Sequence, residues 1–201
     1  MRTRKSLREI GYVLVLLAVI IVLFGWYTSQ NRKRMEERNK NYGADSARLL
    51  AVKIDDELNN AKNLINTYAY FVGESLTEPA VTTEMLKDME KNSLFDTLMY
   101  MDKNGTDHAS DGRTADVTNR TFYEKGINGE SGMDIIFDHH FFDETMACFY
   151  APLRWKGQTI GVLRGAYLAE EYLKRMLTTT YFGENADVFL CTPQGRVIAS
   201  S

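Results

Sequence analysis

The chain has 201 residues, 44% hydrophobic and 25% charged, with a net charge of −3, an ordinary globular composition with room for one domain and some extra segments. Residues 1–44 hold 9 Lys/Arg against 3 Asp/Glu, and the remainder holds 15 against 24. The body is therefore mildly acidic, which does not favour nucleic acid, since that asks for a basic face.

The first element is "IGYVLVLLAVIIVLFGWY", Ile10 to Tyr27, which carries no charge. As a helix it would run about 27 Å, close to the hydrocarbon thickness of a bilayer. Trp26 and Tyr27 end it, where amphipathic rings prefer the interface. A secretory signal peptide would have a shorter apolar stretch and a small-x-small cleavage site. The following "GWYTSQN" is a poor site, so we read an uncleaved transmembrane anchor after a short stub, 1–9. Arg2, Arg4, Lys5 and Arg8 precede the span, and Arg32, Lys33, Arg34, Arg38 and Lys40 follow it. Charge alone does not orient it.

Residues 28–77 predict a long helix. From Ala44 the apolar positions are Leu50, Ile54, Leu58, Ala61, Ile65, Tyr68, Val72 and Leu76, in steps of three and four. One stripe therefore faces one partner. Gly43 weakens the helix, and Pro79 closes it. A coiled-coil stalk is the rival, and it loses ground because a globular body follows that needs covering. A second helix is expected over Thr83 to Lys91, capped by a threonine.

The period then changes. "LFDTLMYMD" runs into "DKNG", and "TDHAS" into "DG", which predicts a hairpin. A polar stretch, "DVTNRTFYEKGINGESG" (Asp116 to Gly132), follows, with a short helix around Arg120 to Lys125. Three more strands are expected over Met133–Asp138, Thr145–Leu153 and Thr159–Tyr167, then a helix from Ala169 to about Thr179. Consecutive hairpins imply one five-stranded antiparallel sheet, in an α+β fold. The long helix covers one face. The short helix and loops cover the other less completely, and a pocket is expected there. "DVFLCTPQGRVIAS", Asp187 to Ser201, repeats strand, turn, strand, and reads as the start of a second module over 179–201. Cys148 and Cys191 have no metal-ligand spacing. We read two buried free thiols on strands, with one extracellular disulfide as the alternative.

The order of anchor, long helix, "YMDKNG", "SDG", "DVTNRTFYEKGINGESG", "YAPLRWKGQTIGVLRGAYLAEEYL" and the restart "DVFLCTPQGRVIAS" resembles the extracellular double-Cache (PAS-like) sensor region of bacterial transmembrane receptors. The resemblance runs from the anchor to Ser201. It implies a cytoplasmic stub, an extracellular body, a ligand-holding membrane-distal module over 78–178 and a membrane-proximal module after it. It implies a small-molecule sensor feeding an output domain: a GGDEF diguanylate cyclase, which "VLRGAYLAEEY" favours, or else a histidine kinase or chemoreceptor. We expect a homodimer at the cell membrane, with no cofactor and no enzymatic activity in this chain.

In Cache modules that bind amino acids, an arginine and an aromatic pair hold the carboxylate, and Arg120, Phe122 and Tyr123 fall on those positions. A guanidinium offers a planar fork, and aromatics offer apolar walls. The alternative is that Arg120 pairs with Asp116 or Asp138 and only holds the loop. The family's further aromatic is replaced by Ala115, and its ammonium-binding aspartate by Ala166. Arg164 shares a face with Ala166 by strand alternation, as a pocket cation or a solvated strand end. The candidate ligand-binding set is Arg120, Phe122, Tyr123, Asp138, Arg164 and Ala166. Its cationic, aromatic character predicts a small organic acid rather than an amine or free amino acid. "FDHHFFDE" invites a metal-assisted hydrolase as the rival class. Adjacent residues on a strand point to opposite faces, however, so no metal site is expected at His139 and His140. No nucleophile elbow, P-loop, dinucleotide motif or metalloprotease helix occurs.

Overall fold

The computed structural model describes residues 2–137, 139–177 and 187–200, with side chains from residue 16 onward. Two compact units divide it, 1–49 and 50–201. Helix α1 is Arg2–Ser75. The sequence predicted weakening at Gly43, but the residue lies inside the helix in open space. One glycine costs only about 1 kcal/mol relative to alanine, which many helical turns absorb. Among the described residues no helix is long and apolar enough to cross a membrane. Positions 10–15 of the expected anchor lie outside the described side chains. The described remainder is apolar all round. Leu16, Leu17, Val19, Ile20, Ile21, Val22, Leu23, Phe24, Trp26 and Tyr27 are all 49–69% exposed.

The second unit is built on a sheet. Helix α2 is Thr83–Lys91, with Thr82 as its N-cap accepting the Met85 N–H. The strands are β1 Thr97–Asp102, β2 Thr106–Ala109, β3 Thr114–Asp116, β4 Gly132–Ile136, β5 Met146–Trp155 and β6 Gln158–Leu168. They form one antiparallel sheet in the order β3-β2-β1-β6-β5-β4. The sheet therefore has six strands, not the expected five. The added strand, β3, is a three-residue edge, too short for its alternation to mark it in the sequence, so its ladder bonds to β2 define it. Helix α3, Thr121–Ile127, packs on β4, β5 and β6 in the crossing from one edge of the sheet to the other. Helix α4 is Ala169–Leu177; the expected end of that helix lies outside the described residues.

Strand alternation splits the core into two layers. On the α1 side, Leu50, Ile54, Ala61, Ile65 and Ala69 of the helix meet Leu98, Tyr100, Ala147, Phe149, Leu163 and Tyr167 of the sheet. The predicted stripe is thus the buried one, with Leu58, Tyr68 and Val72 partly buried at its flanks. On the opposite side Met99, Met101, Met146, Cys148, Tyr150, Val162 and Ala166 meet Phe122 and Tyr123 of α3. Glu90 of α2 ties the first hairpin down, accepting from Thr97 Oγ1, the Leu98 N–H and Ser110 Oγ at 2.8 Å each.

The last described segment is a hairpin, β7 Phe189–Cys191 and β8 Val197–Ser200, with β8 against α4. This agrees with the strand-turn-strand expectation; the preceding residues 178–186 lie outside the described ones. Both cysteines are free. Cys148 is buried as predicted, and burial pushes its thiol up to about 11. Cys191 is exposed, against expectation, because a two-stranded sheet offers little cover.

Gly165 sits where the Phe95 ring crosses β6: a Cβ there would lie 2.6 Å from that ring. Tyr167 holds Phe95 in place at a centroid distance of 4.9 Å. Gly165→Ala should therefore destabilise the protein by about 1–3 kcal/mol through overpacking. A lowered urea midpoint measures this; an unchanged midpoint would mean that Phe95 moves aside freely.

Candidate functional site

The α3 face carries the candidate residues. Arg120 occupies the N-cap position of α3 in extended conformation, half-buried. The first turn then aims Phe122 and Tyr123 at the sheet, and both are buried. Tyr123 Oη donates to the Lys103 carbonyl at 2.9 Å, so this phenol is anchored to the β1–β2 turn and its ring forms a wall. Ala166 is fully buried in a cross-strand row with Cys148 and Thr97. Asp138 lies outside the described residues. Asp116, one proposed partner of Arg120, is engaged locally: it accepts from the Thr118 N–H and Oγ1, and these bonds hold its carboxyl below the usual range.

Arg164 is not a solvated strand end. It has no exposed surface, and its guanidinium lies 5.0 Å from the Phe122 ring centre. A buried cation needs an anion. Asp107 of β2 supplies it, with Arg164 Nη2 donating to Oδ2 at 2.5 Å, both side chains fully buried. Strand β1 lies between the two residues and their register is offset by two residues, so their backbones stand about 12 Å apart, and only a long side chain bridges that gap. Nη2 also lies 2.8 Å from Met99 Sδ. The cationic character expected of this face is thus balanced by a buried carboxylate. Asp107 was legible in principle: in "TDHA" it alternates with His108 and shares a face with buried Ala109.

The histidines are also corrected. Strand β4 ends at Ile136, so alternation does not govern His139 and His140. Their rings stack at 4.6 Å and 19°. His140 Nε2 is 2.8 Å from Asp107 Oδ2, and His139 Nε2 is 3.1 Å from Arg164 Nη2. The Phe141 N–H donates to His139 Nδ1 at 3.2 Å. Burial, then the charges of Arg164, His140, Arg120 and Arg113, push His139 down to about 3, so it is neutral at pH 7. Arg113 clamps the loop: Nη1 donates to the Phe141 carbonyl at 2.5 Å, and the guanidinium lies 5.3 Å from the Phe141 and Phe142 rings. Among the described residues no group of three His, Cys, Asp or Glu side chains suits a metal ion.

The face is closed, with His139 7% exposed, Phe122 5% and Asp107 and Arg164 0%. Among the described residues, buried side-chain atoms without a partner include Asp107 Oδ1, Arg164 Nε and Arg164 Nη1. Open clefts lie elsewhere. One of about 380 Å³ is lined by Tyr70, Glu74 and Arg154, and one of about 360 Å³ by Glu57, Tyr167 and Tyr172.

The fold matches ligand-binding domains of bacterial chemoreceptors. The Campylobacter jejuni Tlp3 domain, solved with 4-methylisoleucine, aligns with TM-score 0.66 and 13% identity, over 82% of this chain and 70% of that one. The Pseudomonas fluorescens CtaA domain with L-alanine aligns at 0.61 and 20%, over 79% and 70%. The Pseudomonas aeruginosa PctC domain with GABA aligns at 0.61 and 20%, over 79% and 74%. These are sensory domains, not catalytic ones. No protein-family model matches the sequence, and no curated protein does.

Removing one partner of the Asp107–Arg164 pair strands a buried charge, so Asp107→Asn or Arg164→Met should each cost about 3–5 kcal/mol. The double variant Asp107→Leu with Arg164→Met should cost much less than the sum of two such losses. Additive losses in urea unfolding would show that the pair is not coupled.

His139 also sets a pH dependence. The folded chain keeps it neutral down to about 3, and the unfolded chain protonates it near 6.5. Its contribution is intact above about 6.5 and is lost as pH falls towards 3, at most about 1.4 kcal/mol per pH unit. His139→Gln should flatten the fall in stability between pH 6.5 and 4. Parallel curves for the variant and the wild type would refute this.

Proposed function

We propose that this chain is the ligand-binding part of a membrane-anchored extracellular sensor. The observation that carries this is a guanidinium–aromatic cluster under α3, with unpartnered buried donors, on a fold shared with chemoreceptor ligand-binding domains. The ligand is a small carboxylate held by Arg120, walled by Phe122 and Tyr123, with Arg164 and Ala166 beneath; Asp138 belongs to the same candidate set by sequence. Asp107 brings an acceptor to this face, which supports an amino acid as the carboxylate: its unpartnered Oδ1 suits an ammonium. The neighbours were solved with amino-acid ligands.

The exposed all-apolar stretch Leu16–Tyr27 supports the anchor over 10–27, with residues 1–9 cytoplasmic and the rest outside. Two modules over 78–178 and 179–201 then follow the long helix of 28–77, in a homodimer. Ligand binding shifts α1 by ~1–2 Å and so moves the span. For the output, the neighbours favour a chemoreceptor; a diguanylate cyclase rests on the wording of Val162 to Tyr172 alone.

A charge-assisted hydrogen bond contributes roughly 1.5–3 kcal/mol. Arg120→Ala should therefore weaken carboxylate binding by about 10-fold to 150-fold. Arg120→Lys should weaken it too, because an ammonium lacks the planar fork. The test is a thermal-shift screen of the full chain in detergent against organic acids, amino acids and amines. Stabilisation by amines alone, or an affinity indifferent to Arg120, would sink the assignment.

A further inference from the structure

The placement of His139 is chemically mismatched. Arg164 Nη2 and the Phe141 N–H both point donors at its ring, one at each nitrogen. A neutral imidazole has one N–H and one lone pair, so it accepts at only one nitrogen. Whichever tautomer forms, one donor faces an N–H. Protonation worsens the fit, since both nitrogens then donate and a second cation faces Arg164. What two converging donors ask for is an acceptor at both points. A carboxylate is that group: its two oxygens are all acceptor, and they sit across one carbon as the two imidazole nitrogens do. Arg164 Nε and Nη1 of the same guanidinium are also buried and unpartnered among the described residues.

We propose that His139 occupies the seat of the ligand carboxylate beside Arg120, and that a small carboxylate held by Arg120 displaces its ring to pair also with Arg164 Nη2 and the Phe141 N–H. The proposal rests on the sensor reading above and adds the seat and its built-in competitor. The backbone of the loop need not leave. Arg113 holds it through the Phe141 carbonyl and both phenylalanine rings, so the imidazole swings out by side-chain rotation while the Phe141 N–H stays. His139 therefore lowers the apparent affinity by the fraction of time that it fills the seat.

The swing takes up a proton. In the seat the imidazole faces Arg164 of β6, Arg113 of the β2–β3 turn, Arg120 at α3 and His140 of its own loop; among the described residues, Asp107 of β2, paired with Arg164 and His140, supplies an anion to the cluster. That surrounding keeps it neutral. In solvent it protonates near pH 6.5. Acid thus favours the vacated seat, over the range where a carboxylate ligand is still ionised. Between about pH 7.5 and 5.5 the swung-out state gains roughly tenfold.

The test uses sodium acetate as probe and the full chain in detergent, with sodium chloride at matched ionic strength as control. Wild-type affinity for acetate should rise about tenfold from pH 7.5 to 5.5. His139→Ala should bind acetate at least several-fold more tightly than wild type at pH 7.5, with a flat pH profile. The wild-type titration decides by itself if the variant does not fold. Equal affinity and equal pH profiles in both proteins would overturn the inference, while an Arg120-dependent carboxylate in the screen would leave the sensor reading standing. Acetate binding to neither protein would also overturn the seat, and the screen would then judge the sensor reading separately.

Discussion

A guanidinium keeps its charge when buried, so one with no access to water needs an anion within reach to offset the cost of burial, and the α3 side of this sheet is organised around that requirement. Arg164 stands on β6, near the middle of the sheet, under Phe122 of α3. Its anion comes from β2, two strands away, across Met99 and Met101. His140 meets the same carboxylate from the loop after β4. One ion pair thus gathers the first hairpin, the central strands and the histidine loop into one cluster. Such a pair adds little net stability compared with an apolar core of equal volume. It does fix which groups face each other, and it leaves donors and an acceptor unfilled.

The other face of the sheet has the opposite character. The stripe of α1 from Leu50 to Ala69 seals it with apolar side chains, and Ile65 has no exposed surface at all. Gly165 lets the Phe95 ring lie directly on β6. That dry layer gives the polar face a rigid floor, because close-packed side chains transmit displacement rather than absorb it. A ligand that rearranges the α3 face therefore works against a support which also contains α1.

Much of this was legible in the sequence. The stripe from Leu50 to Leu76 follows from a period that only a helix satisfies. The cap at Thr82, the turn dipeptides and the hairpin strands follow from local chemistry, which acts over a few residues and so survives in a linear reading. Arg164 and Ala166 were assigned to one face because strand alternation is a local rule, whereas Arg120, Phe122 and Tyr123 were legible only through the resemblance to Cache modules.

The tertiary structure alone decided what depends on residues far apart in the chain. The edge strand β3 exists through its bonds to β2, not through any pattern of its own. Arg164 and Asp107 are partners at a separation of 57 residues, joined by a strand order that no local period encodes. His139 and His140 point the same way because β4 stops at Ile136, a boundary set by pairing with β5. The sequence determined the elements and the faces of the strands, since these follow from backbone periodicity. Whether the face under α3 is cationic or balanced, open or closed, was decided by side chains that only folding brings together.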